Sequence, residues 1–234
     1  MNNNNLNTRG LYIPFTRMGA VTSHDLFEPR EQALFDLYEA MAATGRYSRA
    51  LDIGANIGVH TLLMARHGWE VRAYEPDPKH YRELWANVHR NLDGRGHGEV
   101  QAFKAAVSTA TGVADFVRVL GNTTASHLRG ARDFHGDVER FHVSTVDGRL
   151  LWGWADFAKI DCEGHEAALL CTVTDEACDF LVEVGSADNA KAIYEHFSGK
   201  RPMWAQGLDW AKVTGLDQMP THYSHGSLFI GERP

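Results

Sequence analysis

The chain has 234 residues, 44% of them apolar and 23% charged, with a formal net charge of −7 and a pI near 6.0. That length and balance suit one globular α/β domain with extensions, and the acidic balance disfavours an electrostatic nucleic-acid binder, which carries a basic face or stripe. No apolar run reaches the roughly 18 residues of a membrane span, the opening MNNNNLNTRG lacks the apolar core of a signal peptide, and three cysteines, Cys162, Cys171 and Cys178, cannot all pair, so a reducing cytoplasm is the expected setting.

In chain order, residues 1–24 show little periodicity and read as a flexible tail or flap, with the asparagine run Asn2–Asn5 disordered. A single domain is expected over 25–234. From Pro29 the pattern turns helical, with Leu34, Leu37, Tyr38 and Met41 on one face and Gly45 as a stop. A strand over Arg49–Ile53 is followed by a helix over 57–67. A second strand over Glu70–Tyr74 precedes a helix started by Pro76 and Pro78, whose face is Tyr81, Leu84, Trp85 and Val88. A third strand covers 100–104. Residues 111–147 carry short alternating pieces around GNTTASHLRG and read as a hairpin-like insertion over the carboxyl edge of the sheet. Strands over 157–161 and 179–184 alternate with helices, and Ser227–Ile230 closes the chain as a final strand. Alternating strands and helices imply a mostly parallel sheet with helices on both faces.

The segment ALDIGANIGVH, Ala50–His60, is a strand that ends on Asp52 and breaks into a glycine-rich turn, Gly54-Ala55-Asn56-Ile57-Gly58. Such a turn lets backbone approach a ligand and presents free helix N–H groups. The next strand ends in Glu75, and an acid there can accept both hydroxyls of a ribose. A dinucleotide fingerprint needs glycines where Asn56 and Val59 stand, and no phosphate-cradling GxxxxGK[ST] string is present. A turn of the form D-x-G-x-N-x-G with that acid suits a nucleoside bearing an amino-acid tail, S-adenosylmethionine. A second constellation is AKIDCEGHE, Ala158–Glu166, where an apolar strand ends on Asp161 and Glu163, His165 and Glu166 crowd its exit. With Glu183 in LVEVG, four acids, Asp52, Glu75, Asp161 and Glu183, fall at strand ends that line one crevice, so some should have raised pKa values.

These strings resemble the FkbM family of S-adenosylmethionine-dependent methyltransferases. The resemblance rests on LDIGANIGVHTL, AYEPDPKHYRELWANV, AAVS at Ala105–Ser108, STVD at Ser144–Asp147, KIDCEGHEAALL at Lys159–Leu170, LVEV at Leu181–Val184 and the closing LFI. It implies a Rossmann-like, class I methyltransferase fold with a mostly parallel seven-stranded sheet and an antiparallel last strand. It also implies O-methylation of a hydroxyl on a sugar or natural-product acceptor, with S-adenosylhomocysteine as product. Carried over by motif, Asp52, Gly54, Asn56, Gly58 and Glu75 hold the cofactor. Ala55, Pro76, Ala106 and Asp161 border it, and Asp161 and Glu163 sit beside the methyl group. Residues 111–147 and the C-terminal turn match poorly.

A hydroxyl acceptor loses a proton during methyl transfer, so a base within hydrogen-bond reach helps. Asp161, Glu163, His165, His127 and the pair His222 and His225 are the candidates. Amine methylators of bases carry an NPPY-like tetrad where this chain has Asp161-Cys162-Glu163-Gly164, which disfavours an exocyclic amine. No metal is assigned, and the cysteines and His165 do not match a zinc spacing. Transfer to nitrogen or carbon of a peptide or small metabolite is an alternative. So are a nucleotide-binding oxidoreductase and a non-catalytic cofactor-binding protein. A small-molecule or glycan acceptor is the expected partner.

Overall fold

The computed structural model describes residues 5–92, 96–133, 135–174, 178–207 and 209–233. Short apolar runs become strands because they are buried on both faces, as parallel strands covered by helices must be. Twelve strands and five helices position the site. The strands are β1 (Arg49–Ile53), β2 (Glu70–Tyr74), β3 (Val100–Phe103), β4 (Ala106–Ser108), β5 (Gly112–Val119), β6 (His127–Leu128), β7 (Val138–Asp147), β8 (Phe157–Ile160), β9 (Asp179–Glu183), β10 (Met203–Ala205), β11 (Ala211–Lys212) and β12 (Ser227–Ile230). The helices are α1 (Pro29–Ala43), α2 (Val59–Arg66), α3 (Pro78–Asn91), α4 (Glu166–Leu170) and α5 (Ala187–Phe197).

The main sheet has the order β11-β10-β12-β9-β8-β1-β2-β3. Strands β9, β8, β1, β2 and β3 run parallel, and β12 inserts antiparallel between β9 and β10. The seven expected strands are thus present, and a two-residue eighth, β11, extends the edge beyond β10. Alternation within each strand divides the core in two. Leu51, Ala158, Ile160, Phe180 and Val182 pack with Ala190, Ile193 and Phe197 of α5 on one face. Ala50, Phe157, Leu181 and Phe229 pack with Leu34, Tyr38 and Met41 of α1 and Leu62 of α2 on the other.

Residues 111–147 form more than a hairpin. Strands β5 and β7 pair antiparallel along their length, β6 adds to one side and β4 pairs parallel to β7 on the other. Phe116, Val143 and Ala106 form a small core of their own there. The N-terminal stretch also differs from the expected tail. Asn5–Thr8 pairs with Leu11–Pro14 and Arg17–Met18 with Val21–Thr22, and Leu11, Ile13 and Met18 are buried against α1 and α2. Its apolar residues are too few for a periodic signal, and packing alone orders them. Asn2–Asn4 lie outside the described residues.

Candidate active site

The sheet order reverses between β1 and β8, since β2 follows β1 on one side and β8 lies on the other. Crevices open at the carboxyl ends of strands flanking such a switch point. Register brings those ends level: Ile53 pairs with Tyr74 and Ile160, Tyr74 with Phe103, and Ile160 with Val182. Gly54, Glu75, Asp161 and Glu183 each sit one position further on. All four line a cavity of about 410 Å³, within the usual size range for small-ligand sites.

At one end, the buried Glu75 carboxylate accepts the Asp77 N–H at 2.7 Å and the Asn56 N–H at 2.8 Å. Burial pushes it up to about 8, against the opposing effect of those two N–H groups. Asp77 caps α3 through the Lys79 N–H and takes a bidentate pair from the buried Arg118 of β5. The turn after β2 is therefore tied to the insertion. Asn56 has a left-handed backbone, φ 52°, and its Oδ1 is buried at the cavity wall without a hydrogen-bond partner. An orphaned acceptor beside a carboxylate is a site prepared for a polar ligand with donors. Pro76, Ala106 and Val107 supply apolar wall next to them.

At the other end, Asp161 follows β8, and its Oδ2 accepts from Lys159 Nζ at 3.1 Å. Lys159 is only 6% exposed, and Asp52 Oδ1 is 4.0 Å from the same ammonium. Burial disfavours the ammonium, but Asp161, Asp52, Glu31 and Glu183 outweigh it and hold Lys159 charged. Burial likewise opposes ionisation of Asp161, yet Lys159 and a hydrogen bond with Glu183 keep it below the usual carboxylate range. Glu183, buried and facing Asp161, is pushed well up and keeps its proton. Glu31 of α1 also lines the cavity, with His60 Nε2 3.1 Å from its Oε2 and Tyr38 on the other ring nitrogen at 2.9 Å.

Glu163 sits on the same turn with a left-handed backbone, φ 54°. Its carboxylate is ion-paired with Arg132 of the insertion, while burial and the Asp161 charge push it up to about 8. Gly164 packs so closely on that segment that a Cβ would lie 2.5 Å from the Ala131 carbonyl. His165 lines the cavity, 3.2 Å from the Ser108 hydroxyl, and burial lowers its pKa. Glu166 faces inward, accepting the Cys162 and Gly164 N–H groups and the Asn189 amide, and so holds the turn's shape.

Several expected residues are placed elsewhere. Asp52 is fully buried, accepts from Thr61 of α2 at 2.5 Å and does not border the cavity. Neither do Ala55 and Gly58. Gly58 begins α2 with φ 92°, and a Cβ there would strike Leu84 of α3 at 2.5 Å. His127 lines the cavity. His222 and His225 do not, whereas Tyr223 between them does. Sequence reasoning passed over Lys159, Glu31 and Arg132. A lysine within an otherwise apolar strand, between Ala158 and Ile160, was a readable anomaly; Glu31 and Arg132 carried no local signal. Among the described residues, no three His, Cys, Asp or Glu side chains are arranged to hold a metal ion.

The sequence pattern of the FkbM methyltransferase domain matches residues 52–203. The chain belongs to the FkbM methyltransferase family, whose methyl donor is S-adenosylmethionine. No curated protein matches it. Among solved structures, it is similar to an S-adenosylmethionine-dependent methyltransferase from Agrobacterium tumefaciens, with 12% identity and a TM-score of 0.51, covering 97% of this chain and 68% of that one. A T. thermophilus 16S rRNA methyltransferase in complex with AdoMet and guanosine gives 15% identity and a TM-score of 0.50, covering 96% and 48%. The FkbM methyltransferase of Methylobacillus flagellatus KT gives 15% and 0.48, covering 79% of this chain, which spans only 44% of that protein's length. The first two of these likenesses agree on a class I methyltransferase fold.

Proposed function

We propose that this FkbM methyltransferase methylates a hydroxyl group of a sugar or natural-product-like acceptor, and that the cavity between Glu75 and Asp161 is where it does so. The observation that carries the reading is the Asp161 carboxylate, 3.1 Å from the Lys159 ammonium, at one end of a cavity whose other end holds Glu75, the acid placed for a ribose. Strands β2 and β8 flank β1, so the backbones that carry these two residues stand two strand spacings apart, about 10 Å. That spacing leaves room between them for the ribose, the sulfonium with its methyl group and an acceptor hydroxyl.

S-adenosylmethionine, when bound, supplies a methyl group on a sulfonium centre with a neutral leaving group. The chain's task is then to align a nucleophile and exclude water. Glu75 receives the ribose hydroxyls; each of its oxygens keeps a lone pair beyond its backbone N–H bond. Asn56 Oδ1 accepts a donor of the same ligand. Ala106 and Val107 flank the base. Asp161 orients the acceptor hydroxyl and takes its proton, because a carboxylate already ionised has a lone pair to offer. Glu163, occupied by Arg132, instead fastens the insertion over the site. Residues 122–128 of the insertion and Val21, Asp25 and Leu26 of the N-terminal stretch complete the wall. These two segments meet directly, with the Ala20 N–H on the Gly121 carbonyl at 2.7 Å.

The test is to incubate the chain with methyl-labelled cofactor and a panel of polyhydroxylated acceptors, then locate the label by fragmentation mass spectrometry. Label on oxygen is the expected outcome. Label confined to nitrogen or carbon would replace this acceptor class with the alternative one.

A further inference from the structure

Lys159 does not line the cavity, yet its ammonium is buried within contact of the one carboxylate assigned to the chemistry. We propose that Lys159 is a positioning residue: through the 3.1 Å contact of Nζ with Asp161 Oδ2, it fixes the charge and direction of that carboxylate. The inference rests on the role given to Asp161 above and extends it to a residue with no access to substrate.

Lys159 lies in β8 and Asp161 directly follows it, with its N–H still bonded to the Ile53 carbonyl of β1, so the two side chains, two positions apart on extended backbone, project to the same side. An aspartate at a cavity wall, facing other acids, would ordinarily pick up a proton. Glu183 faces Asp161 from β9, Glu163 from the following turn and His60 from α2. Glu31 of α1 and Asp52 of β1 act on the ammonium itself. Against this acidic surround, the ammonium is the cation that decides which acid ionises. Asp161 touches it, and the proton resides on Glu183. Asp52 has a second function in this arrangement. Its Oδ1 has no hydrogen-bond partner and lies 4.0 Å from Nζ, so it holds the lysine from behind while Thr61 fixes its other oxygen. The strand-end aspartate of the glycine-rich turn thereby serves the chemistry two steps removed from the ligand.

An opposite charge in contact lowers a carboxyl's pKa by about one to three units. Losing the ammonium should raise Asp161 by that amount. The experiment is carboxyl ¹³C NMR of the full chain across pH, with the Asp161 signal assigned from Asp161→Asn. In the wild-type chain its midpoint should fall below the ordinary value of about 3.9. Lys159→Met, similar in length but uncharged, should raise that midpoint by about one to three units, and Lys159→Arg should return most of the shift. A wild-type midpoint at or above the ordinary value overturns the proposal, whether or not Lys159→Met folds. So does a Lys159→Met midpoint unchanged from wild type. Calorimetry with S-adenosylhomocysteine on the wild-type chain tests the cofactor reading separately, since absent binding there leaves the Asp161 midpoint unaffected.

Discussion

Replacing Asp161 by asparagine is expected to lower turnover about 10²–10⁴-fold, the range seen when a positioned acid or base is removed. Affinity for S-adenosylhomocysteine should change by no more than a few-fold. Asparagine keeps the size and one oxygen of the side chain but cannot take a proton. The cofactor's adenosine end is assigned to Glu75, Asn56 and Ala106, two strands away across β1. Both quantities are measured on one preparation, by labelled methyl transfer and by calorimetry. Glu163→Gln gives the contrast. Glu163 is pinned by Arg132 and held with a raised pKa, so its loss should loosen the insertion and act on acceptor KM more than on kcat. Full turnover in Asp161→Asn would move the base elsewhere, to His165 first, since it also lines the cavity.

Gly54→Val should fail as a fold before it fails as a binding site. With φ at 80°, the position is left-handed, and a Cβ would lie 1.7 Å from the Asp161 carbonyl oxygen. That contact is to backbone, which is itself fixed by the Asp161 N–H bonded to the Ile53 carbonyl at 2.9 Å. No side chain can move aside. The expected cost is about 3 kcal/mol or more, combining left-handed strain with displacement of two packed strand ends. Urea denaturation should show a much lower midpoint than wild type. A variant as stable as wild type that has only lost cofactor binding would mean the glycine leaves room for a ligand. The sequence alone pointed to that reason, and the geometry replaces it with the close approach of β1 and β8.

The parts of the site readable from sequence are those whose signal is local. A strand's end is visible where an apolar run meets an acid, so Glu75 and Asp161 could be placed at one edge before any coordinates. The same rule misplaced Asp52, because it cannot say which face the last side chain of a strand takes. Asp52 falls one residue short of the edge and turns into the core, toward Thr61 and Lys159. Gly58 illustrates another limit: a glycine kept for helix packing on Leu84 has the same spelling as one kept for a phosphate or a ribose. The insertion was legible as a departure from the strand–helix alternation but not as a four-stranded sheet, since β4 joins it by a parallel pairing across some forty residues. Glu31 and Arg132 reach the cavity only because α1 and the insertion pack where they do.

The cavity between Glu75 and Asp161 is assigned to S-adenosylmethionine. The most direct measurement is isothermal calorimetry of the wild-type chain and Glu75→Ala with S-adenosylhomocysteine and with NAD. Micromolar binding of S-adenosylhomocysteine and none of NAD are expected. In Glu75→Ala, binding should weaken by about 1.5–3 kcal/mol, within the range for leaving buried polar groups without a partner. Tighter binding of NAD than of S-adenosylhomocysteine, or an affinity for the latter that Glu75→Ala leaves unchanged, would contradict it.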